Sequence, residues 1–223
     1  MAKTKIDWAD ESINPIKGLC HHNCWYCYAK GIYKRFKWDT SIRLDLSVFA
    51  RLAKIKKPSR VFVCSTHDIM GKWIPHHWIN DIIRHCAHPS IKHHQYIFLS
   101  KNPERYDEFI YPPHIWLGAT ITGQGDGLEY KAFKFLTNKS IANLKFISYE
   151  PMLGITDEYI EQLLILKDMG WLIIGGLTGH KWIPEIWHPS ITRAVNVVQQ
   201  FGIPVFIKNN VKYPVSIKEY PSV

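Results

Sequence analysis

Three cysteines fall within eight residues, Cys20-His-His-Asn-Cys24-Trp-Tyr-Cys27. Thiolates spaced C-x3-C-x2-C on one short loop can grip three corners of a single compact metal centre. An iron–sulfur cube has four corners, so the triplet leaves one iron open to a bound molecule. A structural zinc site takes four ligands, and its cysteines come more often as two C-x2-C pairs. Only one such pair is present, Cys24 with Cys27, although His21, His22 or Cys64 can in principle complete a zinc sphere. Asn23 and the two histidines make the loop polar, which argues against three unliganded core thiols.

An aromatic residue, Tyr28, follows the third cysteine, and this pattern resembles the motif of the radical S-adenosylmethionine enzymes. The resemblance extends along the chain in order. Lys5-Ile-Asp-Trp8, Asn14-Pro15, Gly18-Leu-Cys20 and Cys27-Tyr-Ala29 are similar to the opening of a phage-associated, radical-SAM-like family of unknown function. Trp116–Ile121, Phe146–Gly154, Trp171–Gly176 and Ile203–Lys208 resemble later segments of the same family.

That resemblance implies a partial (β/α)6-type barrel with a [4Fe-4S] cluster at its mouth, held by Cys20, Cys24 and Cys27. The open iron would chelate the amino and carboxylate groups of S-adenosylmethionine. One electron from an external donor would then break a carbon–sulfur bond, leaving methionine and a 5′-deoxyadenosyl radical that takes hydrogen from a substrate. Tyr26 stands where related proteins place an aromatic near the adenine. Many of these enzymes carry a Gly-Gly-Glu stretch that contacts the methionine amino group; here His67-Asp68 stands instead, with Ser65, Thr66 and Asp68 as candidate replacements.

Other candidates lie where strands should end, since the loops of such barrels converge on the mouth. Thr120 and Thr122 can reach a ribose hydroxyl or a carboxylate. Glu150 precedes Pro151 at a strand end and can bind ribose hydroxyls or serve as a general base. Gly175 and Gly176 permit a close backbone approach to a ligand. Lys208 can meet a carboxylate or phosphate. Gly123-Gln-Gly-Asp-Gly127 suggests a mobile loop over the mouth.

The elements that must position these groups are legible as short apolar runs: Val61–Thr66, Tyr96–Leu99, Trp116–Ile121, Leu144–Tyr149, Trp171–Ile174 and Pro204–Ile207. Runs apolar on both faces are expected of a covered parallel sheet. A further strand near Ile13–Ile16 is interrupted by Pro15. Helices are expected near 28–37, 45–55, 77–87, 103–109, 128–138, 157–169 and 190–201, with Gly170 and Gly202 as stops. Strand and helix thus alternate over one domain, residues 1–223, predicting an α/β fold: an open, partial barrel of six or seven parallel strands. An open doubly wound sheet is the alternative.

Composition narrows the setting. With 46% hydrophobic and 21% charged residues the chain is of ordinary globular type. It carries no membrane-length apolar run, and its N-terminus does not read as a signal peptide. Five cysteines, three of them clustered, are no disulfide framework, so a cytoplasmic setting is expected. The formal charge is +9, and segment 30–60 holds ten Lys/Arg against two Asp, with Tyr33, Phe36, Trp38 and Phe49 interleaved. Such a surface suits a polyanion such as nucleic acid. A non-enzymatic zinc or iron–sulfur protein binding nucleic acid through this segment is the alternative function.

Overall fold

Apolar runs with both faces covered become the strands of one curled sheet. The computed structural model describes residues 4–178 and 184–222. Its strands are β1 (Glu11–Ile13), β2 (Ile16–Lys17), β3 (Arg43–Leu44), β4 (Arg60–Val63), β5 (Gln95–Ser100), β6 (Ile115–Ile121), β7 (Lys145–Tyr149), β8 (Met169–Ile174) and β9 (Val205–Ile207). Seven of them form a parallel sheet in the order β1-β4-β5-β6-β7-β8-β9, while β2 and β3 make a separate antiparallel ribbon. The result is a half-barrel of the radical-SAM type, and the doubly wound alternative falls away. The helices are α1 (Tyr28–Phe36), α2 (His76–Cys86), α3 (Leu128–Thr137), α4 (Glu158–Leu164) and α5 (Pro184–Gln199).

Several boundaries differ from expectation for local reasons. The segment around Pro15 splits: β1 pairs with β4, β2 turns away to β3, and Asn14 between them spends its side-chain carbonyl on Thr66 N–H at 3.1 Å. Residues 46–54 and 103–108 form 3-10 rather than α-helix. Asn102, just before the second of these, donates its side-chain amide to Met70 C=O at 2.8 Å. Asp157 does cap α4, accepting from Ile160 N–H at 2.9 Å. Gly170 lies inside β8 rather than at a helix stop, whereas Gly202 ends the turn after α5 with φ +68°.

The sheet's two faces are packed differently, and the period-2 alternation of strands decides which residue meets which face. Val61, Val63, Phe98, Leu117, Ile147, Tyr149, Leu172 and Ile174 belong to the core shared with the helices, including Ile79, Ile82, Leu136 and Val198. The alternate positions, Phe62, Ile97, Trp116, Phe146, Trp171, Ile173 and Phe206, form a second cluster with Trp8 and the partly buried Tyr220. This second cluster fills the floor of the half-barrel. Trp171 is its centre, with Phe146, Tyr220, Trp116, Trp8 and Phe206 ring centroids at 5.5, 5.7, 5.9, 6.2 and 6.4 Å. Its indole N–H donates to Glu219 C=O at 3.0 Å, so its one polar atom is satisfied. Gly118 makes room for the floor: a Cβ there would lie 2.1 Å from the Phe146 ring.

Continuing the same parity past the floor carries the inner face to Lys101, Thr120, Glu150, Gly175 and Lys208. No helix among the described residues is long and apolar enough to cross a membrane. Trp171→Ala should cost about 3–5 kcal/mol of stability, read as a lowered urea midpoint, with Trp171→Phe losing less. A loss under about 1 kcal/mol would mean that the floor is not a stabilising core.

Candidate functional site

The cysteine loop is fastened at its root before the first thiol. Gly18 has φ +96°, and a Cβ on it would lie 2.5 Å from Ser41 C=O, so no other residue fits there. Its N–H donates to Tyr33 Oη at 2.8 Å, and its C=O accepts from His67 Nδ1 at 3.0 Å. At the far end Cys27 is the N-cap residue of α1, and Lys30 reaches back to Asn23 C=O at 2.9 Å. Cys20, Cys24 and Cys27 are all half-buried free thiols. With Leu19, Asn23 and Lys30 they line a cleft of about 290 Å³. Burial pushes the Cys20 thiol up to about 11, against the pull of hydrogen bonds from backbone N–H groups of His22 and Asp68. Such a thiol keeps its proton at neutral pH until a metal displaces it, and those N–H groups can then bond the thiolate.

Asp68 ties this loop to the sheet. The carboxylate is buried and accepts from His22 Nε2 at 2.7 Å, Ser100 Oγ at 2.7 Å, Lys101 N–H at 2.8 Å and Met70 N–H at 2.9 Å. Burial alone would raise its pKa; the bonds from His22, Lys101 and Ser100 outweigh this and hold it below the usual carboxylate range. Four donors use the lone-pair directions a carboxylate offers. Asp68 therefore serves as an anchor within the protein rather than as an open acceptor for a ligand.

His67, its neighbour, is fixed in one neutral form. Trp73 Nε1 donates to its Nε2 at 2.8 Å, so the ring proton sits on Nδ1 and is given to Gly18 C=O. Burial holds its pKa below the usual histidine value. Trp73 also packs against His21 and His22, with ring centroids at 5.1 and 5.0 Å. Of the candidates to complete a zinc sphere, His22 is engaged by Asp68, His21 touches Trp73 through its ring, and Cys64 is buried in the core. Among the described residues no three His, Cys, Asp or Glu side chains converge on a single metal ion.

The remaining sequence candidates fall into three groups around the same mouth. Ser65 Oγ and Thr66 N–H both bond Asn14 Oδ1 at 3.1 Å, and Tyr28 Oη donates to Ser65 C=O. Thr120 and Thr122 are buried; Thr122 Oγ1 donates to Asp126 Oδ2 at 3.3 Å. The glycine loop beyond is pinned at its base, because buried Glu129 accepts from Gly123 N–H at 2.7 Å and from Thr122 N–H at 3.2 Å. Opposite, Lys208 donates to Glu150, and both side chains lie over Gly175, where a Cβ would come within 2.8 Å of Glu150 and 3.0 Å of Lys208. Gly176 is clamped by Asn210 through bonds of 3.2 Å and 2.8 Å to its N–H and C=O. The two glycines are thus spoken for by protein neighbours.

Lys101, expected at a strand end that faces the mouth, has a partner the sequence did not reveal. Its ammonium donates to Tyr26 Oη at 2.7 Å and lies 5.1 Å from that ring's centroid. Burial lowers its pKa, against the pull of Cys24, Asp126, Asp68 and Cys20 nearby. Burial, with the Cys24 sulfur beside it, raises the pKa of the Tyr26 phenol. A half-buried cation therefore stands between the cysteine loop and the glycine loop. Parity from Ile97 and Leu99 turns it inward; nothing in the sequence said that Tyr26 lies across the mouth.

Asp68→Asn should lower stability by about 1.5–3 kcal/mol and speed thiol-reagent modification of the cysteine loop in the metal-free protein. Unchanged thiol reactivity would remove Asp68 from the anchoring role. His67 gives a pH dependence with a definite sign. Its folded pKa is depressed, so between that value and about 6.5 the unfolded chain binds a proton that the folded one does not. Stability should fall as pH drops from 7.5 through 6, and His67→Gln should flatten part of that slope in urea titrations.

Comparison with known proteins places this geometry. No curated protein matches the sequence. Among solved structures, a spore photoproduct lyase variant superposes with TM-score 0.56 at 16% identity over 89% of this chain. Another spore photoproduct lyase variant, with bound AdoMet and dinucleoside spore photoproduct, gives TM-score 0.56 at 15% identity. SuiB of Streptococcus suis bound to S-adenosylmethionine gives 0.50 at 11% identity, over 88% of this chain and 46% of its own. The chain spans 62% of the length of the lyase chains it matches. These likenesses concern the fold. Residues 3–217 match the model of a family described as "Protein of unknown function (DUF5131)", and the chain belongs to that family.

Proposed function

We propose that this chain is a radical S-adenosylmethionine enzyme. The observation that carries the reading is the placing of three half-buried thiols, on one eight-residue loop, at the open mouth of a partial β/α barrel. The donor set fits a [4Fe-4S] cluster: three soft thiolates from Cys20, Cys24 and Cys27 on a loop fastened independently of any metal. Bound there with S-adenosylmethionine, the cluster would supply the electron that breaks a carbon–sulfur bond and so starts hydrogen abstraction. The superposition on lyase and SuiB structures with that cofactor bound supports the same reading. The phage association rests on the sequence resemblance alone, and the electron donor must be external.

The chain's own residues have the tasks of holding and orienting. Lys101, a cation with lowered water contact, suits the carboxylate of S-adenosylmethionine. Tyr26 lends a ring at the edge of the cysteine loop for the adenine. Thr120 and the Ser65–Thr66 turn offer hydroxyls to the amino group and ribose, since Asp68 is committed elsewhere. Glu150 is held by Lys208 and can offer its carboxylate to ribose or substrate hydroxyls at the inner face of β7 and β9. The aromatic floor excludes water from below.

Anaerobic reconstitution with iron and sulfide should load about four irons per chain and give reductant-dependent cleavage of S-adenosylmethionine. Replacing Cys20, Cys24 or Cys27 by Ala should abolish iron loading. Lys101→Met should keep the iron and weaken S-adenosylmethionine binding at least about tenfold, the loss of one charge-assisted contact. Purification with one tightly bound zinc and no capacity for a cluster would overturn the reading.

A further inference from the structure

The C-terminal end of α1 presents chemistry that the mouth does not use. Residues 34–41, Lys-Arg-Phe-Lys-Trp-Asp-Thr-Ser, are all exposed. Phe36 and Trp38 are 56% and 50% exposed, yet their rings lie nearly parallel at 5.6 Å between centroids and 25° between planes. Large rings left half in water forgo burial that the fold would otherwise use.

This exposed pair is held rigidly. Lys37 takes the left-handed conformation with φ 50°, which ends the helix and lets Trp38 N–H donate to Tyr33 C=O at 3.1 Å. Trp38 stands edge-on against buried Tyr33 at 5.4 Å, and Tyr33 in turn holds Gly18 at the root of the cysteine loop. Tyr33 thus touches both the platform and the root of the thiol loop.

Its charge is equally selective. Of the segment's cations, Arg43, Arg51 and Arg60 are consumed in ion pairs with Asp39, Glu11 and Asp10. Lys34, Arg35 and Lys37 have no ion-pair partner among the described residues, and Arg35 lies 5.5 Å over the Phe36 ring. Asp39, the one acid of the stretch, is neutralised by Arg43 at 2.8 Å. Lys30, Lys54, Lys56 and Lys57 also have no ion pair among the described residues, so three of the segment's seven unpaired cations stand beside the two rings.

We infer that Phe36 and Trp38, with Lys34, Arg35 and Lys37, form a stacking platform for single-stranded nucleic acid. A base offers a flat face to the rings while its phosphates meet the cations, and duplex bases, already stacked, cannot do so. α1 is nine residues long and follows directly on its N-cap Cys27, so platform and thiol loop are about 14 Å apart along the helix, a span a short strand covers. The inference deepens the proposed reading by naming its substrate class and rests on it for the chemistry, but binding itself needs no cluster.

The test uses the full metal-free chain with fluorescein-labelled 15-nucleotide oligothymidylate and oligouridylate, a duplex of equal length, and vesicles of anionic lipid. Both single strands should bind more tightly than duplex, and whichever sugar is preferred names the source. Phe36→Ala with Trp38→Ala should weaken single-strand binding at least about tenfold, with Trp38→Phe restoring part of it. Replacing Lys34, Arg35 and Lys37 by Ala should reduce the log–log salt slope by about 2. Equal affinity for duplex, indifference to the ring substitutions, no binding, or vesicle binding lost with the rings would each overturn the platform. Iron loading and S-adenosylmethionine cleavage, measured separately on the ring variants, should be unchanged, so the two readings fail independently.

Discussion

Trp171 must point into the half-barrel, and much else follows from that constraint. It is fully buried among five other aromatic rings drawn from β6, β7, β9 and the two chain ends. Once that floor is set, the two-residue period of each strand fixes which later side chains share its face. Register does the rest: Tyr149 pairs with Ile174 and Ile174 with Ile207, so the next residues, Glu150, Gly175 and Lys208, come out side by side. The Glu150–Lys208 pair is thus a consequence of sheet register above a hydrophobic floor. A one-residue slip in β9 would place Lys208 among the helices and an apolar residue in the mouth.

The floor positions the strand ends but not the cysteine loop, which no strand contains. That task falls to Asp68, whose carboxylate gathers His22 from the loop, Met70 from its own turn, and Ser100 and Lys101 from the end of β5. Such a buried charge is tolerated because every lone-pair direction is met. The arrangement also explains why Lys101 is in the mouth: its backbone is held by Asp68 while its side chain crosses to Tyr26. One carboxylate thereby sets the spacing between the thiol loop and the half-buried cation opposite.

The strands were legible in the sequence because both faces of the sheet are buried, which leaves uninterrupted apolar runs such as Phe146-Ile-Ser-Tyr149. The cysteine triplet was legible because its spacing is local. Helix type was not: residues 46–54 carry helical patterning but close as 3-10 turns, and the chain leaves them at Ile55 for β4. Nor was the use of Asp68 legible. Its place after a strand suggested a ligand contact, but its partners come from positions 22, 70, 100 and 101, and no spacing along the chain announces that meeting. Gly175 shows the same limit. It was read as room for a ligand, and the space it leaves is filled by Glu150 and Lys208.

A half-barrel has two edge strands, and how they are covered decides where a substrate can enter. The outer edge of β1 is occupied by Arg51, which bonds Glu11 at 3.0 Å and Ser12 C=O at 2.8 Å. The edge of β9 is covered by the C-terminal segment, where Ile207 N–H meets Ile217 C=O and Glu219 N–H meets Val205 C=O, each at 2.9 Å. Below the mouth the two ends of the chain close the gap: Arg60, held by Asp10, lies 3.6 Å over the Tyr220 ring. These contacts seal both edges against strand addition and close the open side at floor level. At mouth level Asn209 N–H reaches the half-buried Asp7, ahead of β1, at 2.7 Å.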